Sequence, residues 1–215
     1  MIKSESKQTT ISKEISLKGV GLHTGKDVTL TFKPAEINNG FAFQRIDLEG
    51  NPIIEADVNY VTNTQRGTCL EKNGVTIQTC EHVLAALVGL DIDNVIIALD
   101  ESEPPIMDGS SKFFVEALEK AEIVEQEAQR EVYVVKDVIS YYEEESGSEI
   151  TIIPSEEYQV TTMVDFGTKV LGTQNATLST ISDFKNEIAN SRTFSFLHEI
   201  EMLLEHGLIK GGDLN

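Results

Sequence analysis

Apolar and polar residues alternate through Val28, Leu30 and Phe32, the period of two expected of a strand with one buried face. Ahead of it, Ile11, Ile15 and Leu17 give residues 10–17 a less regular apolar rhythm, which predicts a strand. Between the two, Gly19, Gly21 and Gly25 punctuate Gly-Val-Gly-Leu-His-Thr-Gly-Lys and predict a turn that pairs them. Further strands are expected over residues 40–45, 68–71, 75–78 and 94–99. The Lys72-Asn73-Gly74 turn makes the middle two a hairpin.

Two segments of this half switch to helical spacing. Cys80, Leu84, Leu87 and Val88 form an i, i+4, i+7, i+8 stripe, with Thr79 placed to cap its start and Gly89 its end. A second helix follows Ser110 and Ser111, with Phe114, Leu118 and Ala121 on one face. Both are expected on one face of a sheet. Apolar content falls between Glu122 and Glu131, which predicts a domain boundary near Ala128. Beyond it, residues 132–139, 150–153 and 160–164 read as strands, Glu143-Glu144-Glu145 as an acidic hairpin tip, and Phe196, Ile200, Leu203 and Leu204 as a helix stripe ending at Gly207. The fold class is α+β, with domains over residues 1–128 and 129–215. The second domain is expected to be truncated, because no further helix follows to cover its strands.

Composition narrows the function. The 40% hydrophobic content supports a folded core, and the net charge of -19 opposes general attraction to nucleic acid. The longest apolar stretches, residues 83–90 and 94–99, fall short of the roughly 20 residues that cross a bilayer, and no secretory h-region opens the chain, so the cytoplasm is expected. Cys69 and Cys80 lack paired CxxC spacing and are expected as free thiols.

Chemistry concentrates in Thr79-Cys80-Glu81-His82-Val83-Leu84-Ala85-Ala86-Leu87. Glu81 and His82 fall in the first helical turn, where the dipole favours a carboxylate and a neutral imidazole. A neutral imidazole ligates metal, and a neighbouring carboxylate within reach of a metal-bound water serves as general base. A dipole-complementing Glu beside an ordinary surface His is the alternative. His23 lies in the glycine-rich turn, either exposed for chemistry or as a plain turn residue. Asp108, in Pro104-Pro105-Ile106-Met107-Asp108-Gly109-Ser110-Ser111, either orients a site group or closes an Asx turn. In Ser191-Arg192-Thr193-Phe194-Ser195-Phe196, the Thr193 hydroxyl is suited to a developing oxyanion, and a strand end with core aromatics is the alternative. His198 and His206 read as structural, His206 through the negative helix end.

Taken in order, Gly-Val-Gly-Leu-His-Thr-Gly, Thr-Cys-Glu-His-Val-Leu-Ala-Ala-Leu-Val-Gly-Leu-Asp-Ile-Asp-Asn, Pro-Ile-Met-Asp-Gly-Ser-Ser and Ser-Arg-Thr-Phe-Ser-Phe resemble the UDP-3-O-acyl-N-acetylglucosamine deacetylases, zinc hydrolases of lipid A synthesis. The resemblance runs from about Lys7 to Asn215. It implies Glu81 as general base, His82 as a zinc ligand, Thr193 as the oxyanion-holding hydroxyl, Phe194 against the sugar, and His23 and Asp108 as supporting residues. It also implies two similar sheet-and-helix layered domains, an acyl-tunnel insert near residues 197–215, and a lipid-linked UDP-sugar substrate. The other zinc ligands and the catalytic acid histidine are expected beyond Asn215, leaving the 215-residue chain inactive alone. In some bacteria the family chain continues into a hydroxyacyl carrier-protein dehydratase domain. The competing function is a noncatalytic module that binds an acyl chain or a sugar nucleotide.

Overall fold

The computed structural model describes residues 2–212. The first half contains β1 (Ile2–Ile11), β2 (Ile15–Val20), β3 (Asp27–Pro34), β4 (Phe41–Arg45), β5 (Ile53–Glu55), β6 (Val61–Asn63), β7 (Cys69–Lys72), β8 (Val75–Ile77), helix α1 (Glu81–Gly89), β9 (Val95–Leu99), helix α2 (Lys112–Lys120) and β10 (Ile123–Val132). Five of the strands form a mixed sheet in the order β2-β3-β9-β4-β5, in which β4 and β9 run parallel and the other neighbours antiparallel. With helices and strands in several small sheets, the class is α+β, as the patterning predicts.

The period of two in β3 has the expected result: Val28, Leu30 and Phe32 are all buried. β9 reads differently. Val95, Ile97, Ala98 and Leu99 are buried without regular alternation, because a central strand between β3 and β4 has little access to water on either face. The core continues into Val83, Ala86 and Leu87 of α1 and Phe114, Val115 and Leu118 of α2. Phe32 meets Phe114 edge to face, with ring centroids 6.4 Å apart, and so ties sheet to helix.

Several expectations shift by a few residues, each for a physical reason. The strand predicted over residues 10–17 is split, because Ser12 turns the chain by donating its backbone N–H (3.1 Å) and its hydroxyl (2.9 Å) to the Ala121 carbonyl. The β7–β8 hairpin forms as predicted, with Asn73 and Gly74 both at positive φ, the pattern of a type I′ turn. The buried face of α1 is Val83, Ala86, Leu87 and Gly89, whereas Val88 is 41% exposed, so the helix is rotated from the predicted stripe. Gly89 does not end the helix by a left-handed turn. A Cβ there would lie within 2.0 Å of the Phe184 ring, so its missing side chain admits that ring.

The polar stretch in which the domain boundary is expected forms β10. It pairs antiparallel with β1, and position 128 falls within it. Side-chain bonds hold this polar strand: Arg130 bonds Asp91 (2.6 Å) and Asp93 (2.8 Å), and Gln126 donates to the Ala35 carbonyl (2.9 Å).

The second half contains β11 (Ile139–Tyr142), β12 (Glu149–Ile152), β13 (Val160–Asp165), β14 (Thr173–Leu178) and helices α3 (Phe184–Glu187) and α4 (Leu197–Glu205). β11 and β12 form a hairpin around the predicted acidic tip, closed by the Glu143 N–H donating to Ser148 O (2.8 Å). The strand expected over residues 132–139 is absent between the end of β10 and the start of β11; Tyr133, Val134 and Val138 there are exposed, and no strand among the described residues pairs with them. Leu178 and Phe184 join the core beside α1.

One ion pair gives the fold an acid limit. Arg45, buried at the end of β4, grips both carboxylate oxygens of Asp47 (2.8 and 2.7 Å) and donates to Thr76 O (3.0 Å). The Arg45 hydrogen bonds hold the Asp47 carboxyl below its ordinary value, against the opposing effect of burial. Asp47 therefore contributes its full stability above the unfolded carboxylate pKa of about 3.9 and loses it as pH falls through the lower folded value. Asp47→Asn is expected to lower unfolding free energy at pH 7 by about 1.5–3 kcal/mol and to flatten the decline in stability below about pH 4, measured by urea unfolding across pH.

Candidate active site

The opening of α1 is held by neighbouring chain rather than by a cap. Cys80 occupies the cap position without a side-chain hydrogen bond to the helix, and Thr79, the residue expected to cap, has φ +51° and points its hydroxyl elsewhere. Thr68 takes the role of anchor. Its N–H donates to Glu81 Oε2 (2.9 Å), and its carbonyl accepts from the Cys80 N–H and Sγ, each at 3.3 Å. The carboxylate of Glu81 is thus held at the positive end of the helix. Burial pushes the His82 imidazole below its ordinary pKa, against the pull of the Glu81 and Asp108 carboxylates. A neutral imidazole of that kind keeps a lone pair for a metal.

The proline-led turn after β9 connects this opening to the second half. Ser111 Oγ donates to the His82 carbonyl (3.0 Å). Asp108 Oδ1 accepts from the Ser110 N–H (3.1 Å) and hydroxyl (2.6 Å), so its Asx-turn role is real, while its charge also acts on His82. Two further bonds fasten the Thr193 segment to the same turn: Arg192 Nε donates to Asp108 O (2.6 Å), and the Thr193 N–H donates to Gly109 O (2.8 Å). Residues 191–196 are irregular rather than a strand end. Glu81, His82, Asp108 and Thr193 are brought to one region through this turn.

His23 is buried, and its ring is fully engaged. Nδ1 accepts from the Ile209 N–H (3.3 Å), which assigns the proton to Nε2, 3.2 Å from the Arg66 carbonyl. It therefore pins the glycine-rich turn to residues 66 and 209 and presents no free nitrogen. Arg66 also pairs with Glu199 of α4 (2.7 Å). Phe194 is 53% exposed, in an aromatic row with Phe166 and Phe196, each ring centroid 5.4 Å from its neighbour. His198 stacks on Phe196, and His206 Nδ1 lies 2.7 Å from the Met202 carbonyl, the helix-end role expected of it. Of the predicted insert near residues 197–215, α4 and the chain to residue 212 are described; residues 213–215 lie outside the described residues.

Sequence reasoning missed Glu103. It is 1% exposed, and its carboxylate accepts from the His23 N–H (3.0 Å to each oxygen), the Thr24 N–H (2.8 Å) and Thr79 Oγ1 (2.8 Å). Gly21 leaves room for it, since a Cβ there would approach Glu103 Oε2 to 2.7 Å. The glycine at 21 was the one visible signal; within Asp100-Glu101-Ser102-Glu103 nothing distinguishes the buried acid from its neighbours.

Among the described residues no group of three His, Cys, Asp or Glu side chains is placed to hold a metal ion. His82 fits one ligand position, and this chain's described residues do not complete a site. Cys80 is no substitute nucleophile: burial, aided by the Glu81 charge, pushes its thiol up to about 12. Both cysteines are free, as expected. No described helix is long and apolar enough to cross a membrane.

The family model described as LpxC, UDP-3-O-acyl N-acetylglycosamine deacetylase, matches residues 8–215. The chain belongs to this family. Among its relatives, a bifunctional LpxC/FabZ enzyme of Bacteroides thetaiotaomicron is 47% identical over 209 residues, covering 97% of this chain and 45% of the relative. A bifunctional LpxC/FabZ enzyme of Porphyromonas gingivalis is 44% identical with the same coverage. A UDP-3-O-acyl-N-acetylglucosamine deacetylase of Thermosynechococcus vestitus is 39% identical over 207 residues, covering 96% of this chain and 72% of the relative. The chain thus spans somewhat less than half the length of the bifunctional LpxC family members it matches.

Two measurements check the site's construction. Glu103→Leu strands the buried donors of His23 and Thr79 and the half-buried N–H of Thr24, and is expected to lower stability by about 3 kcal/mol, read from urea unfolding. Iodoacetamide at pH 8 is expected to label Cys69 before Cys80 in the folded protein and both equally in urea; rapid native labelling of Cys80 contradicts its assigned burial.

Proposed function

We propose that this chain is the N-terminal part of a zinc-dependent hydrolase that removes acetate from the N-acetyl group of UDP-3-O-acyl-N-acetylglucosamine in lipid A synthesis. The observation that carries the reading is the meeting of the Glu81-His82 helix opening with the Asp108–Gly109 turn and Thr193, in a chain of the LpxC family. The share of length matched in the bifunctional relatives supports a longer parent, and their names support a second activity in it. We place there the hydroxyacyl carrier-protein dehydratase that the motif resemblance implies.

His82 is one ligand of the zinc, and a catalytic site needs about three protein ligands with one open position, so the others come from polypeptide outside these 215 residues. Bound there, zinc supplies a Lewis acid for the amide carbonyl and lowers the pKa of water to about 7. The residues of this chain do the rest. Glu81, held by the Thr68 N–H at the helix opening, takes the proton of the attacking water. The Thr193 hydroxyl donates to the oxyanion that forms on the carbonyl oxygen. Phe194 packs its half-exposed ring against the sugar, and Asp108 and His23 hold the surrounding turns. When the C–N bond breaks, the amine takes a proton from a histidine outside this chain, and acetate leaves.

The test uses the full-length protein and UDP-3-O-acyl-N-acetylglucosamine. Glu81→Ala is expected to lower kcat by roughly 100- to 10,000-fold with zinc still bound, the range typical of a general base. Full turnover in that variant rejects the base assignment. Saturable substrate binding by the intact protein with no acetate release favours the noncatalytic module instead.

A further inference from the structure

The chain turns from β8 into α1 within three residues, and nothing inside the helix fixes that turn. β8 ends at Ile77, α1 begins at Glu81, and the cap residue Cys80 makes no side-chain bond to the helix. Thr79 has φ +51°, a left-handed conformation that a β-branched residue adopts only under constraint from its surroundings. The constraint is the segment before the two prolines. The Gln78 N–H donates to Ser102 O (2.9 Å), and Thr79 Oγ1 donates to the buried carboxylate of Glu103 (2.8 Å). The same carboxylate takes the N–H groups of His23 and Thr24, so it cannot swing to follow Thr79.

We propose that Glu103, acting through the Thr79 hydroxyl, is a positioning residue for the Glu81-His82 opening of α1. The proposal rests on the hydrolase reading and goes beyond it by naming the pair that aims the base. With the hydroxyl bond intact, Thr79 stays left-handed and Cys80 follows at φ -82°, ψ -12°, which sets the direction in which Glu81 and His82 leave the helix. Without it, Thr79 relaxes to an ordinary backbone conformation, the first turn of α1 rotates, and Glu81 loses its bond from the Thr68 N–H.

The experiment compares Thr79→Val, Thr79→Ser and Glu81→Ala in the full-length protein. Thr79→Val removes the donor, and Thr79→Ser keeps it. Thr79→Val is expected to lower kcat by up to about 100-fold, the cost of misplacing a catalytic group by about an ångström, with KM within about threefold. Hydrogen exchange at the Thr68 amide is expected to speed up by about tenfold as its acceptor moves, a readout independent of turnover. Thr79→Ser is expected to restore kcat and exchange to within about threefold of the parent. If Thr79→Val does not fold, Thr79→Gly, which suits the left-handed backbone but has no hydroxyl, is expected to show the same losses. Parental kcat and Thr68 exchange in the variants without a hydroxyl, or equal losses in Thr79→Ser, overturn the proposal. The parent protein and Glu81→Ala separate the two readings: no acetate release by the parent rejects the hydrolase assignment, surviving turnover in Glu81→Ala rejects Glu81 as the base that Thr79 aims, and lost turnover there with an unaffected Thr79→Val rejects the positioning role alone.

Discussion

A buried carboxylate must find a cation or hydrogen-bond donors; among the described residues Glu103 pairs with no cation, and it finds donors on two separate segments of chain. One is the glycine-rich turn at His23 and Thr24. The other is the approach to α1 at Thr79. Because Glu103 leads directly into Pro104 and Pro105, the same short segment continues to Asp108 and Gly109, which bind Arg192 and the Thr193 N–H. The strand after which it stands, β9, is central in the sheet and largely buried, so these loops are referenced to the middle of the core.

The helix that carries Glu81 and His82 is held along its length as well as at its start. Val83, Ala86 and Leu87 enter the core, and Gly89 lies under the Phe184 ring. Burial on this scale fixes the helix axis, but it leaves rotation of the first turn to local bonds. Thr68, Ser111 and Glu103 supply them from three directions: Thr68 to Glu81 and Cys80, Ser111 to the His82 carbonyl, and Glu103 to Thr79.

Much of this was legible in the sequence, and the exceptions share a cause. β3 and the β7–β8 hairpin follow from local rules, alternation in one and Asn-Gly turn chemistry in the other. β10 does not, because its residues are polar and its stability comes from pairing with β1 and from Arg130 reaching Asp91 and Asp93, partners some forty residues away. Gly89 is the last residue of α1, as local rules predict, but its missing side chain also admits a ring nearly a hundred residues downstream, which they do not predict. At the site, Glu81, His82, Asp108 and Thr193 could be named from motif order. Their convergence could not, since it runs through backbone carbonyls that sequence does not mark. Thr79 was assigned to the right turn and the wrong bond: its hydroxyl serves a distant acid instead of the adjacent helix.

That exchange has an energetic logic. A left-handed β-branched residue costs on the order of 1–3 kcal/mol. A hydrogen bond to a carboxylate contributes about 1.5–3 kcal/mol, enough to offset the strain and little more. Glycine at position 79 avoids the strain but leaves the turn free to choose among conformations, and an N-cap serine bonded to its own helix fixes the helix end without reference to the sheet. Threonine held by Glu103 does what neither alternative does: it locks the entry to α1 to the loop that also carries the Asp108 turn. The sequence therefore accepts strain at one residue to hold two segments distant in sequence in a single register around Glu81 and His82.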